Sequence, residues 1–234
     1  MIPSVPDLTP LANEIMERLP EVYGAARDPD RAGPMAAYMR HQFPFLGISS
    51  TSQQALARRG LAGLPRPAEA DLAAVARACW ELPEREYQYF ACRLLRRYAR
   101  VCGPGFMTVA RDLIVTKSWW DTVDALAPHL VGPLVRRHPE LLSELDAWIE
   151  DANVWLVRAA LLHQLTARTA TDERRLFDYC ARQAGHPDFF VRKAIGWALR
   201  AYAKSEPDRV RDFVTANRSR LAPLSIREAL KHLA

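Results

Sequence analysis

Trp120-Asp121-Thr122-Val123-Asp124, Val154-Trp155-Leu156-Val157-Arg158 and Asp188-Phe189-Phe190-Val191-Arg192 are three versions of one short pattern. Each is an aromatic-rich start that leads to Val and then to a charged residue. The charged residues, 124, 158 and 192, stand 34 and 34 positions apart. Glu84-Arg85-Glu86-Tyr87 reads as a degenerate earlier copy. A helical unit recurring at this period indicates stacked helix pairs, an α-solenoid. Equivalent positions of successive repeats then line one concave surface, so Asp124, Arg158 and Arg192 are expected to be neighbours.

The rest of the chain agrees with an all-α reading. Most of its 17 prolines fall between apolar-periodic blocks rather than within them. The blocks lie at about 8–19, 30–43, 51–60, 69–81, 84–100, 105–117, 119–127, 129–137, 140–150, 153–167, 172–184, 188–204, 207–217 and 224–233. Tyr87, Phe90, Leu94, Leu95 and Tyr98 recur at helical spacing, as do Val191, Ile195, Ala198, Leu199 and Tyr202. Strict polar/apolar alternation is absent, so no sheet is expected. Residues 60–68, with Gly60, Gly63, Pro65 and Pro67, form the longest expected loop. Composition does not change across it, and the chain reads as one domain over 1–234.

Bulk chemistry excludes several classes. The 234 residues suffice for a core without disulfide or metal staples. Hydrophobic residues are 49% and charged residues 25%, values of a globular chain rather than a disordered one. Cys79, Cys92, Cys102 and Cys180 have no zinc-knuckle or redox spacing, and the six histidines are scattered. No metal is expected. The Pro-rich start lacks the basic and apolar regions of a secretory signal, and no apolar run is long enough for a membrane helix. Free cysteines without either feature suggest a cytoplasmic protein. The net charge is +5, with 32 Lys+Arg, of which only 117, 193, 204 and 231 are Lys. That permits a polyanionic partner without requiring one.

The repeat copies also carry chemistry. Trp120 and Asp124 are four apart and share a helix face, as do Trp155 and Arg158 at three apart. Lys193 and Trp197 follow at four, with Arg200 one turn further. Arginines suit phosphates and indole faces suit cations or bases. A lone carboxylate in a basic groove repels phosphate, so its place there suggests that it faces a developing positive charge. Each residue has a plainer reading when taken alone. Asp124 could be a structural partner of an arginine, Trp197 a core residue and Tyr38 an ordinary amphipathic tyrosine. Trp119 cannot share the face of Trp120, because adjacent helix positions point about 100° apart. Trp119, Trp80, Trp148 and the cysteines are expected in the core. The Arg93, Arg96, Arg97, Arg100 run reads as a solvated face, with DNA backbone contact as the lesser alternative.

Five strings then carry a resemblance. They are Leu113-Ile114-Val115-Thr116-Lys117-Ser118-Trp119-Trp120-Asp121-Thr122-Val123-Asp124; Tyr38-Met39-Arg40 with Phe43-Pro44-Phe45-Leu46-Gly47-Ile48; Trp80-Glu81-Leu82-Pro83-Glu84-Arg85-Glu86; Lys193-Ala194-Ile195-Gly196-Trp197; and Ala222-Pro223-Leu224-Ser225. Together, in this order from about residue 30 to the C-terminus, they resemble the AlkD family of DNA alkylation repair glycosylases. The resemblance implies HEAT-like helical repeats curved around duplex DNA. It also implies hydrolysis of the N-glycosidic bond of N3- or N7-alkylated purines, by a monomer with no metal or nucleotide cofactor and without flipping the base into a pocket. The family's catalytic aspartate falls on Asp124, its groove tryptophans on Trp120 and Trp197, its groove arginine on Arg158 and its N-terminal tyrosine on Tyr38. Lys117, Arg192, Lys193 and Arg200 complete the expected DNA contacts. Arg192 departs from the family pattern, which has a neutral amide there. Residues 1–29, an expected helix and linker, have no counterpart. Two other classes stay open beside the enzyme: a non-catalytic paralogue that binds damaged or branched DNA, and a protein–protein scaffold. Within the enzyme reading, bulky N3-adenine adducts are an alternative substrate.

Overall fold

The computed structural model describes residues 8–233. Residues 1–7, part of the expected N-terminal helix and linker, lie outside the described residues. Among the described residues there are fourteen α-helices and no strand. The fold is therefore all-α. The chain clusters into two compact units, Met1–Val109 and Ala110–Ala234.

The first unit contains α1 (Pro10–Gly24), α2 (Pro29–Tyr38), α3 (Ser50–Gly60), α4 (Glu69–Glu81) and α5 (Arg85–Tyr98). Thr9 caps α1 by accepting the Ala12 N–H at 3.1 Å. The expected block stops before Pro20, but the helix runs on to Gly24. Proline removes one helical hydrogen bond. The buried stripe Ala12, Ile15, Leu19, Tyr23 continues through it. Tyr23 stacks on Tyr87 at 5.9 Å and meets Phe90 edge-on at 6.1 Å, joining α1 to α5. The expected block 30–43 is shorter as a helix and ends at Tyr38. Arg40 and His41 take left-handed φ values of 55° and 54°, which no α-helix can include.

Two of the motif strings lock together in this unit. The Glu86 carboxylate accepts the backbone N–H groups of Leu46 (2.9 Å), Gly47 (2.9 Å) and Ile48 (3.1 Å). Arg85 donates its backbone N–H to Pro44 O at 3.0 Å, and its guanidinium lies 3.8 Å from the Phe43 ring centre. Gly47 has φ +90°, and a Cβ there would stand 2.0 Å from Asp28 O. Only glycine fits this turn. These strings are architecture rather than chemistry.

The second unit holds the repeat. The division falls within α6 (Phe106–Val115); then come α7 (Trp120–Leu126), α8 (Gly132–Arg137), α9 (Leu142–Trp148), α10 (Val154–Leu162), α11 (Glu173–Arg182), α12 (Phe189–Tyr202), α13 (Pro207–Ala216) and α14 (Pro223–Leu230). Helix α10 packs on α7 and on α12, and α12 packs on α14. The four helices therefore stand in a row, as the stacked pairs of an α-solenoid do. Hydrogen bonds join positions about one repeat apart. Gln183 Nε2 donates to Ile149 O, 34 residues back, at 2.6 Å. Tyr179 Oη donates to Asp146 Oδ1, 33 residues back, at 2.7 Å. The sequence breaks helices at Pro128, whereas the structure carries the chain from α7 to α8 through a π-helical stretch, Ala127–Val131. Gly132 N–H reaches Ala127 O, five residues back. The looser register accommodates a proline that has no N–H to give.

The motif strings of α12 and α14 interlock as well. A Cβ on Gly196 would lie 2.8 Å from Ser225 O and 2.5 Å from Glu228 Cβ, so glycine permits close approach of the two helices. Ser225 Oγ donates to Arg192 O at 2.8 Å. Trp148, Trp80 and all four cysteines are buried, as expected of core residues.

Candidate active site

Helix α7 begins at Trp120 and places Asp124 one turn later on the same face. Helix α10 is started by Asn153, whose Oδ1 accepts the Trp155 N–H at 3.0 Å. Helix α12 is started by Asp188, whose Oδ1 accepts the N–H groups of Phe190 (2.7 Å) and Val191 (3.1 Å). These caps fix where each helix begins and so set the register between repeats.

That register brings Arg158 onto Asp124. Arg158 Nε donates to Oδ1 at 2.7 Å and Nη2 to Oδ2 at 2.8 Å. Arg158 Nη1 donates to Phe190 O at 2.5 Å, in the next repeat. One guanidinium thus ties three repeats together, a planar fork that lysine could not reproduce. The Arg158 side chain is 4% exposed and that of Asp124 12%. The expected phosphate grip by Arg158 is not what its geometry offers, because its donors are directed at Asp124 and a main-chain carbonyl. Asp124 does have a structural partner, and that partner leaves part of the carboxylate facing outward. Two oxygens offer about four acceptor sites, of which the fork uses two. Burial pushes the Asp124 carboxyl above the usual aspartate range; the hydrogen bonds and charge of Arg158 oppose this, and Asp121 adds to it.

Beside this pair stands an aromatic cluster drawn from the three repeat starts. Trp119 and Phe190 rings lie 5.0 Å apart, Trp155 and Phe190 5.0 Å, and Trp119 and Trp155 5.6 Å. Trp119, expected in the core, is half-buried and caps α7, and its buried Nε1 has no acceptor among the described residues. Trp155 also belongs to this cluster and is half-buried. Trp120 and Trp197 are both half-buried. Phe189 meets Phe190 edge-on at 5.4 Å and is 53% exposed. Sequence reading passed over Phe189, although it stands beside the expected residues; an aromatic at a helix start is ordinarily packing.

The remaining cations divide. Lys193 Nζ and Arg200 Nη1 both bond the Glu228 carboxylate, at 2.5 and 2.6 Å. Glu228 is a second residue the sequence did not single out. Arg192 Nε donates to His186 O at 2.7 Å, which leaves its two Nη groups without a partner among the described residues. Lys117 has a left-handed φ of 47° in the turn before α7. Tyr38, in the first unit, is 74% exposed at the last turn of α2. Among the described residues no three His, Cys, Asp or Glu side chains gather as metal ligands. Among the described residues no helix is long and apolar enough to cross a membrane.

A row of stacked helices, with a carboxylate held by a guanidinium fork from the next repeat, defines a helical-repeat protein. The family model described as "DNA alkylation repair enzyme" matches residues 20–233, and the chain belongs to that family. Membership makes this a protein of alkylation-damage repair and implies that it binds DNA. A solved structure, "Predicted DNA alkylation repair enzyme from Enterococcus faecalis", is 32% identical, with a TM-score of 0.81 over 89% of this chain and 97% of that one. No curated protein matches.

Proposed function

We propose that the protein is a DNA glycosylase that hydrolyses the N-glycosidic bond of N3- or N7-alkylated purines in duplex DNA, acting as a monomer. The observation that carries this reading is the Asp124 carboxylate, held by the Arg158 fork and still 12% exposed. Alkylation at N3 or N7 makes the purine cationic and a good leaving group. The C1′–N bond breaks with its electron pair going to the base, which leaves as a neutral molecule. Positive charge develops on the deoxyribose. Asp124 stabilises that charge, and its partly desolvated setting strengthens the attraction. Water adds to C1′ and loses its proton toward the carboxylate, whose raised basicity favours acceptance. An abasic site remains.

The other residues follow from their positions. Arg158 is a positioning residue, fixing both carboxylate oxygens. Trp120 and Trp197, with exposed Phe189, present π faces to the sugar and backbone. Arg192, with free Nη groups, and Lys117, Lys193 and Arg200 take phosphates, as Tyr38 does through its hydroxyl. Little general acid is needed, because the leaving base already carries its charge. Binding the lesion without flipping the base, as the AlkD resemblance implies, sets no tight limit on adduct size.

Release of 7-methylguanine from methylated duplex tests the reading. Asp124→Asn is expected to bind the duplex and to release base at least about 100-fold more slowly, the scale for removing one preorganised electrostatic group. Near-normal release would remove Asp124 from the mechanism.

A further inference from the structure

We propose that a groove wholly within the first unit, between α3 and α5, is a second phosphate-binding site that grips the backbone of undamaged duplex. The groove has a volume of about 500 Å³ and is lined by Arg58 of α3 and by Arg93, Arg96 and Arg97 of α5. Residues 93, 96 and 97 share one helix face by their spacing. Phe90 and Leu94 form part of its wall and are buried in the core, so the arginines stand on a rigid base. An adjoining cavity of about 370 Å³ shares Arg58 and Arg97.

What sets these arginines apart is the lack of carboxylates. No acidic residue lines the groove. By contrast, Arg27 is paired with Glu84, Arg158 with Asp124 and Arg200 with Glu228. Among the described residues Arg93 bonds only Ser50, Arg97 lies 5.3 Å from its neighbour's Tyr98 ring, and Arg58 and Arg96 bond nothing. Four like charges converging without a counter-charge repel one another. Arg58, Arg96 and Arg97 also sit in last turns of their helices, where the helix dipole favours cations. The dipole explains cations at helix ends but not the convergence of two helices' arginines on one open groove. A polyanion supplies the missing charge, and the guanidinium fork matches phosphate oxygens. That the polyanion is DNA rests on the alkylation-repair reading.

The test is a salt titration of an undamaged 20-base-pair duplex by fluorescence anisotropy. The triple variant Arg58→Gln, Arg96→Gln, Arg97→Gln is compared with the wild type and with the same three positions changed to Lys. Neutralising three phosphate contacts is expected to flatten the log–log slope by about 2–3 and to weaken binding at moderate salt. The Lys triple, which keeps the charge, is expected to retain the slope, and the single Arg96→Gln to lose about one unit. An unchanged slope in the Gln triple overturns the proposal. So does an equal loss in the Lys triple, which would show packing rather than charge. Base release by the wild type from methylated duplex is measured alongside. If no base is released while the Gln triple still flattens the slope, the glycosylase reading falls and the phosphate groove stands. If base is released and the slope does not move, the groove falls and the glycosylase reading stands.

Discussion

Two carboxylates in the second unit are built to nearly the same plan and end in opposite states. Asp124 on α7 and Glu228 on α14 each meet a cation one repeat away in sequence. Their side chains are almost equally sheltered, 12% and 11% exposed. Yet the Asp124 carboxyl is pushed up by its burial, while the Glu228 carboxyl is pulled down, first by its hydrogen bond from Lys193. At Asp124 desolvation outweighs the hydrogen bonds and charge of Arg158, whereas at Glu228 the bonds and charges of Lys193 and Arg200 outweigh it. Asp124 has one guanidinium and the nearby charge of Asp121. Glu228 has both Lys193 and Arg200. Asp124 is matched by one cation, whereas Glu228 is shared by two. A carboxylate that must meet a transient cation is better served by the first arrangement, in which fewer permanent cations offset its charge.

The largest effect expected from this contrast is on catalysis. Asp124→Asn should cost at least about 100-fold in base release. Glu228→Gln, which removes a carboxylate of equal shelter, should cost less than tenfold in the same assay. Equal losses would mean that neither carboxylate is special and that both merely support the fold.

Stability should separate the two next. Arg158→Ala leaves Asp124 without its fork and removes the tie to Phe190 O. Breaking a buried pair costs about 3–5 kcal/mol, and partial exposure of Asp124 lowers the expectation to about 2–3 kcal/mol. Arg200→Ala leaves Glu228 with Lys193 and should cost under about 1 kcal/mol. Chemical denaturation of both variants measures this. If Arg200→Ala proved the more damaging, the shared clamp at Glu228, not the Arg158 fork, would be the main tie between repeats.

How far this contrast was legible from sequence differs at its two ends. The Asp124–Arg158 pairing follows from the 34-residue period, because equivalent positions of stacked repeats must be neighbours. Glu228 was hidden. One period beyond Arg192 stands Ile226, no aromatic start precedes it, and the acid lies two positions further on. Helices were readable wherever Pro or Gly punctuated them and the apolar stripe was continuous. The pattern fails where a local exception overrides the rule: Pro128 is absorbed into a π-helical stretch, Pro20 sits on an exposed face, and Arg40 and His41 turn left-handed. The role of Arg158 was misplaced for a related reason. Sequence shows that an arginine is in the row but not which way its donors point.

A pH profile sharpens the comparison by sign. Asp124 must be ionised to work, so base release should fall on acidification through a pKa above the ordinary aspartate range. Arg158→Lys weakens the hydrogen bonding that lowers this pKa, so the acid limb should move to still higher pH. Glu228 behaves oppositely in stability. Its folded pKa lies below its unfolded one, so its contribution is fully present above the unfolded value and is lost as pH falls through the depressed one. The difference in stability between wild type and Glu228→Gln should therefore shrink only in that acidic window. An acid limb of base release within or below the ordinary aspartate range would contradict the raised Asp124 carboxyl.

The smallest expected effect is on undamaged DNA, and it runs against intuition for a stabilising residue. Glu228 holds Lys193 and Arg200 and cancels half of their joint charge. Glu228→Gln keeps a hydrogen-bond acceptor near both while removing the negative charge. If Lys193 and Arg200 face phosphates, the variant should bind duplex more tightly at low salt, with a slope steeper by about one unit for each added phosphate contact. Asp124→Asn should leave the slope nearly unchanged, because Arg158 is buried and its donors point inward. A slope that steepens for Asp124→Asn and not for Glu228→Gln would reverse the assignment, making Arg158 the phosphate contact and the α12 cations part of the scaffold.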